Sequence, residues 1–154
     1  NSIRSELEAS GIRISGINSR SPGRINSGFA HVAGDIEYSR RSRGFLIDGS
    51  SYRAFVSTAD FVYSSASYAD YGLINLAAFN HLLGVKGIII NASEIQDVNN
   101  AFFAEFFYSG LRDHGSASKA FYSACKNVRD MDRFASPAYW GGKRLYINNF
   151  ELGN

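Results

Sequence analysis

The chain has 154 residues, 45% hydrophobic and 19% charged, which excludes a disordered segment and suits one domain with its own core. Sixteen basic residues against fourteen acidic leave a net charge of +2, too little to make nucleic acid its direct partner. A single cysteine excludes an internal disulfide and favours a reducing, cytoplasmic setting, and no apolar run reaches the length of a membrane span.

The chain opens at Asn1 without a methionine or a visible signal peptide, and reads as a fragment, a processed product or an excised domain. Residues 1–10 suit a short helix, with Ile3 and Leu7 on one face and Gly11 as its stop. Ile12 to Ile14 alternates like a strand, and Ser15 to Ser27 is a loop of Ser, Gly, Asn, Arg and Pro. Residues 1–27 thus form an N-terminal piece, and 28–154 form the domain proper.

Gly28 to Ala33 reads as a core strand ending at Gly34 and Asp35. Ile36 to Gly44 is polar and basic, Phe45 to Ile47 is a short strand, and Asp48-Gly49 signals a turn. Ser51 to Phe55 is a helical turn or loop. Phe61 to Tyr63, entered from Asp60, is a second core strand that runs into four small residues, Ser64-Ser65-Ala66-Ser67. A helix from about Gly72 to Leu83 closes on Gly84, and Val85 to Ile90 is a nearly unbroken apolar strand of the kind buried on both faces. Asp97 is the expected N-cap of a helix to about Leu111, with the rows Val98, Phe102, Phe106 and Phe103, Phe107, Leu111. Ser116 caps a helix through about Val128. Ser136 to Gly142 is a Pro- and Gly-based turn, and Leu145 to Ile147 is the last strand. Helices between buried strands predict a three-layer α/β domain with a mostly parallel sheet. In such sheets ligands sit at the carboxyl ends of the strands, which points to Ser64, Ser65 and Ser67.

Cys125 lies mid-helix beside Ala124 and reads as a small buried hydrophobe. Of the three histidines, His31 ends a core strand and is the best candidate for chemistry, while His81 and His114 read as structural or solvent-facing residues. No CxxC, HxxxH, P-loop or GxGxxG pattern is present, so neither a metal nor a cofactor is expected.

Several stretches together resemble the CHAT family, caspase-like cysteine peptidases related to caspases and separases. They are Gly28-Phe29-Ala30-His31-Val32-Ala33-Gly34-Asp35, Val62-Tyr63-Ser64-Ser65-Ala66, Leu76 to Asn91, Ala101 to Leu111, Ala120 to Cys125, and Pro137-Ala138-Tyr139-Trp140. The resemblance implies a caspase-like sandwich and a Cys–His dyad, with a thiolate attacking a peptide carbonyl. The family's nucleophile position falls on Ala66, and its second histidine position falls on Asp35, four residues after His31. As written, the chain cannot cleave by the family's mechanism. It is either a peptidase whose cysteine was replaced or a natural pseudopeptidase that binds proteins.

The resemblance further implies a protein or peptide substrate, a role in proteolytic signalling or defence, and additional domains such as helical repeats or a sensor. Asp48, Asp60, Glu94 and Asp97 are candidates to receive a basic substrate residue. Two other classes stand beside this reading. One is an interaction module using Tyr68, Tyr71 and Tyr139; the other is an α/β hydrolase using Ser67, although no GxSxG elbow is present.

Overall fold

A computed structural model describes residues 28–57, 59–65, 67–68, 73–92 and 95–147. The features expected in residues 1–27, and those resting on Ala66, Tyr71 and Glu94, lie outside the described residues.

Four strands carry the main sheet: β1 (Phe29–Val32), β5 (Phe61–Ser64), β7 (Gly87–Asn91) and β8 (Lys143–Ile147), in that order. The first three run parallel and β8 closes the edge antiparallel. The domain is therefore α/β with a mostly parallel sheet. Side chains alternate between its faces. On one face, Ala30, Val32, Val62, Ile88 and Ile90 meet α1 (Tyr52–Val56), α2 (Leu73–Leu82) and part of a second sheet. On the other, Phe61, Tyr63 and Ile89 meet α3 (Asp97–His114) and α4 (Ala117–Arg129).

The second face is aromatic and ordered in rungs. Phe29, Phe61, Gly87 and Ile147 share one rung; His31, Tyr63, Ile89 and Leu145 share the next. Gly87 supplies room rather than flexibility: a Cβ there would lie 2.7 Å from Cδ2 of Phe61. The ring of Phe107 stacks on those of Phe61 and Tyr63 at centroid distances of 5.9 Å each. The two expected apolar rows of α3 are unequal. Phe103, Phe107 and Leu111 are buried, whereas Phe102 and Phe106 are half-buried and Val98 is exposed.

The second sheet was not expected. It comprises β2 (Asp35–Ser39), β3 (Gly44–Ile47), β4 (Ser50–Ser51) and β6 (Ser67–Tyr68), in the order β4-β3-β2-β6. The polar stretch Ile36 to Gly44 is thus a strand and a hairpin turn, with Ile36 alone buried in β2. Both β1 and β5 leave the main sheet side by side and continue into this second sheet, where Asp35 pairs with Ser67. Gly34 makes the first of these exits at φ 129, and a Cβ there would also meet the Asp48 carboxylate at 2.7 Å.

Helix ends follow the sequence with one correction. Ser116 caps α4, its Oγ accepting from the Lys119 N–H, and Gly84 and Gly115 adopt positive φ past their helices. Asp97, however, is the first helical residue of α3 and Gln96 is its N-cap. A negative side chain in the first turn still suits the helix dipole. The Pro137 turn forms α5 (Pro137–Trp140), after a single 3-10 turn at Asp132–Phe134. No helix among the described residues is long and apolar enough to cross a membrane.

Candidate active site

Where β1 and β5 part, the aromatic rungs end in a polar one. His31 sits on β1 opposite Tyr63, and Ser65 follows β5 by one residue. The His31 Nε2 atom lies 3.0 Å from Ser65 Oγ, and His31 Nδ1 lies 2.8 Å from the Tyr108 hydroxyl of α3. The imidazole packs edge-on against Tyr63, with centroids 4.6 Å apart. Three elements thus fix one ring: β1 carries it, β5 and the residue after it supply Tyr63 and Ser65, and α3 supplies Tyr108.

Ser65 is itself held at three points. Its N–H donates to Val32 O at 2.9 Å, its Oγ lies 3.4 Å from that same carbonyl, and its own carbonyl accepts from Asn91 Nδ2 at 3.3 Å. Asn91 ends β7 and pairs with Lys143, the first residue of β8. The Lys143 ammonium donates to Asn91 Oδ1 and Asn100 Oδ1, both at 2.6 Å. Lys143 is only 3% exposed and lies over the rings of Phe103 and Tyr63, at 4.8 and 5.5 Å from their centroids.

The electrostatics of the group follow from this burial. Surrounding protein pushes His31 down to about 4, and the Lys143 charge lowers it further. The residue as a whole is exposed, which offsets part of the desolvation; at pH 7 the imidazole is neutral in either case. Desolvation pushes Lys143 down to about 7, although two amide oxygens and two π faces favour its cation. Burial, then proximity to Tyr63, raises Tyr108 well above the usual phenol value, so it stays a neutral hydroxyl.

A neutral histidine has one donor and one acceptor nitrogen, so two proton arrangements fit these distances. In one, Tyr108 donates to Nδ1, Nε2–H donates to Ser65 Oγ, and the serine hydroxyl donates to Val32 O. In the other, Nδ1–H donates to Tyr108, and Ser65 donates to Nε2. Only the second arms the serine oxygen for attack.

His31, Ser65 and Tyr108 line a cavity of ≈ 530 Å³ together with Ala33, Gly34, Asp35, Asp97, Asn100, Ala101 and Ala104. Of the sequence candidates, the structure brings His31, Asp35, Ser65 and Asp97 to this cavity. Ser64 points to the opposite face, buried, with no partner for its hydroxyl among the described residues. Ser67 pairs through its backbone with Asp35 in the second sheet. Asp60 precedes β5, at the far end of the strand, and forms an ion pair with Lys86 at 3.1 Å. Asp48 braces the exit of β1 by accepting from the Asp35 N–H at 3.2 Å. His81 and His114 are exposed. The Cys125 thiol is half-buried, donates to Trp140 O at 3.7 Å and is pushed up by burial. The sequence reading of a small buried hydrophobe is met in part, since the side chain is half-buried.

Tyr108, Asn91, Asn100 and Lys143 were not singled out in the sequence. The available signal for Tyr108 was a hydroxyl within an otherwise phenylalanine-rich helix face. Among the described residues, no group of three or more His, Cys, Asp or Glu is placed to hold a metal ion. No family model, curated protein or solved structure matches the chain, so the likeness to the caspase-like family rests on the quoted residues alone.

Proposed function

We propose that the domain is a caspase-like peptidase scaffold that takes a peptide into the His31 cavity, with Ser65 as its reacting side chain. The observation that carries this is the 3.0 Å contact between Ser65 Oγ and His31 Nε2 at the carboxyl end of a parallel sheet. His31 takes the serine proton as Oγ attacks the peptide carbonyl, forming a tetrahedral intermediate that collapses to an acyl-enzyme. The same proton passes to the leaving amine, and water then releases the acyl group. Tyr108 accepts from Nδ1–H and holds the ring in the required tautomer. A neutral phenol stabilises the imidazolium less than a carboxylate does, and a histidine pushed to about 4 is a weak base. The expected chemistry is therefore slow. Asp35 and Asp97 give the cavity an acidic side. Further domains attached to this one would determine when the peptide is presented.

A second reading has its own support. Val32 O accepts the Ser65 N–H and also lies within reach of its hydroxyl, and Ala66 has no group that can attack. These features suit a pseudopeptidase that binds a peptide without cutting it.

Labelling with a fluorophosphonate, followed by intact mass and peptide mapping, separates the two. An adduct on Ser65 that disappears in Ser65→Ala and weakens in His31→Ala supports the hydrolytic reading. No adduct on Ser65, with Ala66→Cys acquiring reactivity toward cysteine-directed peptide probes, refutes it in favour of a binding domain derived from a cysteine peptidase.

A further inference from the structure

Lys143 is an unusual residue to find at the centre of this network. No carboxylate of the described residues lies within ion-pair distance of its ammonium. A buried cation without an anion is costly, and a purely apolar edge would have completed the aromatic core at less cost. What the lysine supplies is three donors and no acceptor. With both Asn91 and Asn100 turning Oδ1 toward Nζ, each carboxamide has one orientation left. Asn91 must then present Nδ2 to the Ser65 carbonyl, and Asn100 must present Nδ2 to Ile95 O. The ammonium thereby ties the start of β8, the end of β7, the first turn of α3 and the bend after β5 into one unit. It also shares the Tyr63 ring with His31: Nζ lies 5.5 Å from the ring centroid and the imidazole 4.6 Å, centroid to centroid.

We propose that Lys143 is a positioning residue for the His31–Ser65 pair: through Asn91 it fixes the Ser65 carbonyl, and across the Tyr63 ring its positive charge acts on His31. This deepens the reading of that pair as the working site and rests on it. Among the described residues, the ionisable groups that face Lys143 are Tyr63 from β5, Cys125 from α4 and His31 from β1. β7 presents Asn91, and α3 presents Asn100 and Phe103. On β8 itself, Arg144 turns to the carbonyls of Gly141 and Lys143. Since burial holds Tyr63 and Cys125 protonated beyond their usual ranges, Lys143 is the group that changes the local charge around neutral pH.

The test is an NMR titration of the His31 ring in the folded chain and in Lys143→Met. In the unmodified chain the His31 resonance has its main midpoint near 4 and a second, smaller inflection near 7 as the lysine discharges. In Lys143→Met the inflection near 7 disappears and the main midpoint rises, by roughly half a pH unit or more, because a neighbouring like charge is gone. A merely structural lysine moves neither signal. No inflection near 7 in the unmodified chain, or an unchanged main midpoint in a folded Lys143→Met, overturns the proposal. If the variant does not fold, the inflection in the unmodified chain decides the matter alone. The titration needs no turnover, so a domain that never reacts with a phosphonate still reports on Lys143. Where Ser65 is labelled, its rate in Lys143→Met falls at least about tenfold, since Asn91 is released to turn its oxygen toward the Ser65 carbonyl.

Discussion

The buried lysine makes a definite prediction about stability and pH. The ordinary lysine value of 10.5 is carried down to about 7 in the fold. At about 1.4 kcal/mol per pH unit, this is on the order of 5 kcal/mol of stability withheld while the group is charged. The sign follows from proton counting. Between 7 and 10.5 the unfolded chain holds the proton and the folded chain has released it, so stability rises with pH across that window. Above about 8 the trend is opposed, since Cys125 and then the buried tyrosines keep protons that the unfolded chain loses. The clean interval is therefore pH 7 to 8, where the lysine alone contributes a gain of about 1 kcal/mol. Urea unfolding at pH 7, 7.5 and 8 at fixed ionic strength measures it. In Lys143→Met the curve is flat over the same interval. The absolute difference at pH 7 is small, because removing the charge also strips Asn91 Oδ1 and Asn100 Oδ1 of their donor, at about 1–3 kcal/mol each. The slope, not the offset, is diagnostic. A flat curve for the unmodified chain, or a slope retained in the Met variant, refutes the argument.

Gly87→Ala drives a methyl group to 2.7 Å from the Phe61 ring, between two paired strands that cannot part. It should cost about 1–3 kcal/mol in chemical unfolding; a neutral result means that the ring shifts freely. Ser116→Ala removes the acceptor of the Lys119 N–H at the start of α4, for a loss of about 0.5 kcal/mol by the same assay. Because that contact is long, at 3.5 Å, the loss belongs at the lower end of the usual range for caps.

The sequence disclosed the elements whose signals are local. Phe61 to Tyr63 and Val85 to Ile90 are apolar runs that only burial on both faces explains, and both are central strands. Ser116 and Gly84 act where their chemistry puts them. The second sheet was hidden for a physical reason. β2 is exposed along most of its length, and its hairpin turns through Arg43 at φ 51, a residue that carries no turn signature. At the site, His31 was legible because a histidine at the end of a core strand is conspicuous. Lys143 was not, because a lysine opening a strand reads as solvated. Its burial depends on Asn91 and Asn100, 52 and 43 residues away in the chain.

The position of the site follows from the same alternation that builds the core. On the face toward α3, each step of two residues along the parallel strands replaces one rung by the next. Phe29 with Phe61 gives way to His31 with Tyr63, and these to Ser65 beside Asn91 and Lys143. The lower rungs are stacked rings, with Phe61, Tyr63, Phe103 and Phe107 nearly parallel. Rings packed in this way leave little freedom to the residues above them. The imidazole packs edge-on against Tyr63, and Ser65 and Tyr108 each hold one of its two nitrogens. Shifting β1 by one residue would turn His31 to the opposite face, among buried side chains such as Val62, Leu76 and Ile90 and away from Tyr108. The apolar pattern of Phe29 to Val32 thus sets both the register of the strand and the location of the chemistry.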